Sequence, residues 1–181
     1  RERLLPHRLS RLGPFIAEGD VDGNGQTDFF IGNATGKPAA LFLQQNGTFV
    51  KKEGPWETQF EDLGALFFDA DGDSDLDIYV VSGGNANAAG SELYQDRLYL
   101  NDGKGNFSRA TNNIPKEISS GSCVQAHDYD QDGDLDLFVG GRVVSGNYPT
   151  TPQSFVFQND GGKFTDVTSQ VAPASQNIGM V

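Results

Sequence analysis

Apolar and polar positions along the chain fall into a pattern that occurs three times. Short β-prone stretches, Phe29-Phe30-Ile31-Gly32, Ile78-Tyr79-Val80-Val81 and Leu137-Phe138-Val139-Gly140, each follow directly on an acidic run. Each acidic run is itself preceded by an apolar stretch, at residues 13–19, 63–68 and 121–128. Two strands flanking a polar loop is the structure this order predicts. The second half of each unit repeats as well, at 41–50, 98–111 and 155–168. There a strand of alternating bulky residues meets an Asn/Asp/Gly turn, and a second strand begins at a Phe. Asn-Gly and Asp-Gly pairs supply the positive φ that tight hairpins require.

Each unit therefore predicts strand, acidic loop, strand, variable loop, strand, hairpin, strand. The first aspartates of the loops, Asp20, Asp69 and Asp128, lie 49 and 59 residues apart. Four antiparallel strands over such a period is the size of one β-propeller blade. No segment carries sustained helical periodicity with caps, so little helix is expected. A β-sandwich is the weaker alternative, because it requires no repeat with fixed internal order. The predicted class is all-β, with about three blades at 13–62, 63–120 and 121–174. Residues 175–181 are expected to open a fourth inner strand, and 1–12 match no part of the repeat. Three blades cannot close a ring that takes four to eight. The chain is thus expected to be part of a larger propeller, or to complete its sheets with another copy through open blade edges.

Charge sharpens this picture. The 181 residues hold 25 Asp+Glu against 13 Lys+Arg, a net charge of -12. Such a balance disfavours nucleic-acid backbones and anionic membrane surfaces. No apolar run approaches the ~18 residues of a membrane span. The one cysteine, Cys123, excludes an intrachain disulfide. Aromatic residues make up 10% of the chain and Gly 23 positions, as expected of a packed core with many turns rather than an acidic disordered tail.

The acid is concentrated in the three loops. Numbered from the first aspartate, positions 1, 3, 5, 7 and 9 are Asp20, Asp22, Asn24, Gln26 and Asp28. In the second loop they are Asp69, Asp71, Asp73, Asp75 and Asp77, and in the third Asp128, Asp130, Asp132, Asp134 and Asp136. Oxygen-bearing side chains at alternate positions converge when a loop wraps around an ion, and Gly23, Gly25, Gly72 and Gly133 permit the bends. Carboxylates so crowded cannot all stay ionised without a cation between them. An all-oxygen set suits Ca²⁺, whereas the absence of Cys and His makes zinc, copper or iron poor matches. These are not EF-hands, since position 12 is Ile31, Val80 or Val139 instead of Glu. The loops must close with their position-9 aspartates, and position 7 is expected to offer its backbone carbonyl. The competing reading, aspartates that merely cap turns, has to explain three copies with one spacing. Loop one, with three carboxylates at positions 1, 3, 5 and 9 where the others have four, is expected to bind most weakly.

The D-x-D-x-[DN]-x-x-x-D loop followed by a strand ending in Gly, repeated at this period, resembles FG-GAP (VCBS) repeats. The resemblance spans roughly residues 13–181. It implies the propeller of integrin α subunits and many secreted bacterial proteins, with Ca²⁺ in the loop between the first two strands of each blade. It carries residue by residue to the five positions of each loop, about three ions in all. Asn24 and Ser74 depart from the usual Asp and Gly. The resemblance also implies a secreted or cell-surface protein in adhesion or recognition, with a structural ion.

If the blade order holds, the second-to-third-strand loops and blade connections share the face opposite the acidic loops. A protein or glycan partner is expected there, with Trp56, Tyr94, Arg142 and Tyr148 as candidate contacts. Packing between blades is the competing reading, favoured for Trp56. No enzyme motif stands out. His7 and His127 belong to no nucleophile or metal pattern, and no phosphate-binding glycine loop occurs. The alternative is the propeller part, lectin module or catalytic body, of a secreted carbohydrate-active enzyme. Asn33, Asn46 and Asn106 head glycosylation triplets that turn composition alone would produce. The cluster Arg1, Arg3, Arg8 and Arg11 is expected to be a solvated linker.

Overall fold

A computed structural model describes residues 15–178. The N-terminal segment with its arginine cluster and His7, and the last residues of the expected fourth strand, lie outside the described residues. Among the described residues twelve strands form three four-stranded sheets. The first comprises β1 (Ile16–Gly19), β2 (Asp28–Ile31), β3 (Ala40–Gln45) and β4 (Thr48–Lys52). The second comprises β5 (Asp62–Phe68), β6 (Asp77–Ser82), β7 (Arg97–Leu100) and β8 (Ser108–Ala110). The third comprises β9 (Ser120–His127), β10 (Asp136–Val143), β11 (Phe155–Asp160) and β12 (Lys163–Asp166). Within each sheet the strands pair antiparallel in chain order. These are open, blade-like sheets of a partial propeller, as the repeat pattern predicts.

Among the described residues helix is confined to one turn, α1 (Thr168–Val171), and 3-10 turns at Glu92–Tyr94 and Pro173–Asn177. Pro173 opens the last of these at a helix start, where its missing N–H costs nothing. Residues 175–177 therefore form a 3-10 turn where an inner strand was expected.

The core lies between the sheets, because period-2 alternation gives each strand one face per neighbour. Phe30, Leu41 and Leu43 of the first sheet pack on Ile78, Val80 and Tyr99 of the second. The opposite face of the second sheet, with Tyr79, Val81 and Leu98, packs on Leu137, Val139 and Phe157 of the third. Strand β6, covered on both faces, is buried at every position. The end of β6 meets the first strand of the next sheet: Gly83 bridges Gly121 of β9, and a Cβ on Gly83 would sit 2.4 Å from the Gly121 carbonyl oxygen. Only glycine allows that approach.

Within the second sheet, Arg97 of β7 pairs with Asp62 at the start of β5, both about 2% exposed or less. The Arg97 guanidinium lies 4.2 Å from the Phe60 ring centroid. The acidic loops join β1 to β2, β5 to β6 and β9 to β10, at one end of the sheets, together with the β3–β4, β7–β8 and β11–β12 hairpins. The β2–β3, β6–β7 and β10–β11 loops and the inter-sheet connections meet at the other end, where the Gly36 and Gly83 N–H groups donate to Thr58 and Glu61 carbonyls.

Candidate metal centres

The backbone of the acidic loops explains their residue choice. Positions 4 and 6 have positive φ in every copy: Gly23 and Gly25, Gly72 and Ser74, Gln131 and Gly133. Each left-handed residue turns the chain so that alternate side chains point inward. Ser74 and Gln131 hold that conformation without glycine's freedom, at φ 74° and 65°.

Position 1 ties the turn. Asp20 accepts the Asn24 N–H at 3.1 Å and the Gly25 N–H at 2.8 Å. Asp69 accepts Gly72 and Ser74, and Asp128 accepts Gln131, Asp132 and Gly133. Position 9 clamps the loop to the sheet. Both oxygens of Asp28 accept backbone N–H groups, from Val21 at 2.9 Å and Gln44 at 2.7 Å. Asp77 does the same with Ala70 and Asn101, and Asp136 with Tyr129 and Asn159. Position 5 caps the next turn: Asn24, Asp73 and Asp132 accept the N–H groups of Gln26, Asp75 and Asp134. At position 7, Gln26 donates its side-chain amide to Asn24, and Asp134 accepts the Gly161 N–H of its own hairpin.

In each loop the carboxylates of positions 1, 3 and 9 converge, Asp20/Asp22/Asp28, Asp69/Asp71/Asp77 and Asp128/Asp130/Asp136, with oxygens within 4.8 Å of one another. The carboxylates of positions 5 and 7 lie outside these groups. In loop two, one oxygen each of Asp71 and Asp75 is buried without a hydrogen-bond donor. Burial, followed by its acidic neighbours, raises Asp75 to about 6. Burial raises Asp77 to about 7 against the pull of its two backbone donors. Asp28 and Asp136 are raised for the same reason. Three such oxygen clusters can hold metal ions. A hard cation would pair with such orphaned oxygens and return crowded carboxyls to their ionised form.

The candidate partner contacts fare differently. Trp56 stacks edge-on to Phe30 and Tyr99, with ring centroids 5.0 and 5.2 Å away, so it belongs to the packing between the first two sheets. Tyr94 is 1% exposed, and its hydroxyl donates to the Asn87 carbonyl at 2.8 Å. It serves to fold the β6–β7 loop and is withdrawn from any surface. Arg142 and Tyr148 remain half-buried at the end opposite the acidic loops, and His127 is exposed. Asn33 is buried, so its triplet is closed to glycosylation.

Sequence reasoning missed Asn101 and Asn159. Their side-chain amides donate to the Val21 and Ala70 carbonyls of the preceding loop, at 2.8 and 2.9 Å. The signal was an Asn at one register position at the end of the third strand, which had been read only as turn chemistry.

An all-β stack of four-stranded sheets, each closing its first hairpin on a carboxylate loop, defines a β-propeller-like repeat module. The profile of the FG-GAP-like repeat matches residues 20–80 and again 69–139, well over half of the chain. The chain belongs to the FG-GAP-like repeat family. No curated protein matches it. Such repeats are typical of extracellular proteins, and no helix among the described residues is long and apolar enough to cross a membrane.

Proposed function

We propose that the chain is a calcium-stabilised, non-catalytic module that acts in adhesion or recognition outside the cell. The observation that carries this is the convergence of three carboxylates, at the same three positions, in all three sheets. Each site offers oxygen alone, which favours Ca²⁺ over softer metals. Bound there, the ion would offset part of the loop's negative charge and fix the first hairpin of its sheet, a structural role. Backbone carbonyls and water complete the six to eight ligands that Ca²⁺ takes. A protein or glycan partner would meet the opposite end, where Arg142 and Tyr148 remain for contact. Metal counting by native mass spectrometry, with melting curves in EDTA and in millimolar Ca²⁺, tests the reading. Three ions and a melting temperature that EDTA lowers are expected. An unchanged melt and a metal-free mass would refute it. For the partner, a glycan array probed with wild type and Arg142→Ala is expected to show one class of ligand lost on substitution.

A further inference from the structure

Between one carboxylate loop and the next, hydrogen bonds run without a break. Asp77 accepts the Asn101 N–H at 2.8 Å. The Asn101 side-chain amide donates to the Val21 carbonyl at 2.8 Å, and the Val21 N–H donates to Asp28 at 2.9 Å. Asp77 and Asp28 are the position-9 members of loops two and one. The same line joins loop three to loop two. Asp136 accepts the Asn159 N–H at 2.8 Å, the Asn159 amide donates to the Ala70 carbonyl at 2.9 Å, and the Ala70 N–H donates to Asp77 at 2.9 Å.

Each asparagine also grips its own loop. Asn101 donates to the Leu76 carbonyl at 3.1 Å and Asn159 to the Leu135 carbonyl at 3.2 Å. One amide group thus holds position 8 of its own loop and position 2 of the loop before. Val21, Asp28, Ala70, Asp77, Asp136 and Asn159 are all 2% exposed or less, so water does not substitute along most of this line. In the first sheet the matching residue is Gln44, whose N–H sits on Asp28 at 2.7 Å, with no preceding loop among the described residues.

We propose that Asn101 and Asn159 are positioning residues that couple the three loops, so that cations bind them cooperatively. This rests on the loops being the calcium sites assigned above. A loop must be ordered to present its three carboxylates, and ordering costs conformational entropy. An ion in loop two fixes Asp77, hence Asn101, hence the Val21 peptide that Asp28 must meet. The ion entering loop one then has less to order, which is positive coupling without any large movement. Asparagine suits the task because its amide donates two hydrogen bonds at short reach. Aspartate cannot donate, and serine has one hydrogen to offer.

Allosteric couplings of this kind are worth about 5- to 150-fold in affinity. The test starts from Asp22→Ala, which disables loop one and leaves loops two and three. Calcium calorimetry is expected to show two ions bound cooperatively. Disabling loop two as well, with Asp71→Ala, is expected to weaken loop three about fivefold or more. With Asn159→Ala added, that same loss of loop two is expected to leave loop three's affinity unchanged. Should Asn159→Ala fail to fold, hydrogen exchange on Asp22→Ala decides: calcium loading of loop two is expected to slow exchange of the Val21 amide about fivefold or more. Independent sites in the calorimetry, or an unaltered Val21 amide, overturn the coupling while leaving the calcium sites standing. No calcium bound by the wild-type chain overturns both.

Discussion

Position 3 and position 9 of a loop both contribute to the carboxylate cluster, yet the structure gives them separable roles, and loop two is where they part most clearly. Asp77 accepts two backbone N–H groups and is 1% exposed. Asp77→Ala leaves both donors buried and unpaired. At about 1–3 kcal/mol for each, the loss is roughly 2–6 kcal/mol with no ion considered. Removing a carboxyl that burial already disfavours offsets part of this, so the lower half of the range is expected. A chain of this length loses about 2–4 °C per kcal/mol, so the melt should fall by roughly 4–16 °C in EDTA. Asp71 has one buried oxygen with no donor, and its carboxyl is held up by burial and by Asp73. Asp71→Ala should therefore leave the EDTA melt unchanged or raise it. In calcium at ~100 times the dissociation constant, it should forfeit about 2.7 kcal/mol of ion-linked stability. Differential scanning calorimetry of both variants in EDTA and in calcium makes the comparison. An EDTA melt of Asp77→Ala equal to wild type, or an Asp71→Ala loss of the same size with and without calcium, would refute the division of labour.

Ser74→Gly and Gln131→Gly relieve left-handed strain of about 1–2 kcal/mol each, less the entropy glycine adds to the unfolded chain. Each is expected to raise the melt slightly in EDTA, whereas Gly72→Ala should lower it. For pH, Asp77 at about 7 and Asp75 at about 6 stand above their ordinary 3.8, so the metal-free fold holds protons that the unfolded chain has lost. Its stability should fall as pH rises from about 4 to 7, and denaturant melts at stepped pH in EDTA should show that sign. Calcium reverses the sign, because the ion binds the ionised carboxylates and is displaced by acid. Asp62→Ala strands the buried Arg97 charge and is expected to cost about 3–5 kcal/mol in urea melts, whether or not calcium is present.

The strand order and the three loops were legible because each depends on neighbours within a dozen residues. Period-2 apolar runs, Asn-Gly turns and oxygens at alternate positions are local facts. Tyr94 was not legible in the same way. An aromatic in a polar segment is assigned to a surface by its own neighbourhood, but the Tyr94 hydroxyl turns back onto the Asn87 carbonyl and buries the ring, whereas Trp56 packs between sheets as its favoured reading had it. Alternate spacing nominates positions 1, 3, 5, 7 and 9 alike, whereas the folded loop draws the carboxylates of 1, 3 and 9 together and has position 5 accept the N–H two residues on. Three carboxylates converge in every loop, whichever residue stands at position 5. What differs is the cover over position 2, where Val21 and Ala70 are 1% exposed and Tyr129 is 38% exposed. Loop three, whose position 2 is the exposed one, is therefore expected to exchange its ion fastest. Stopped-flow removal by a calcium chelator should find its off-rate above those of loops one and two, and a slowest loop three would contradict the argument.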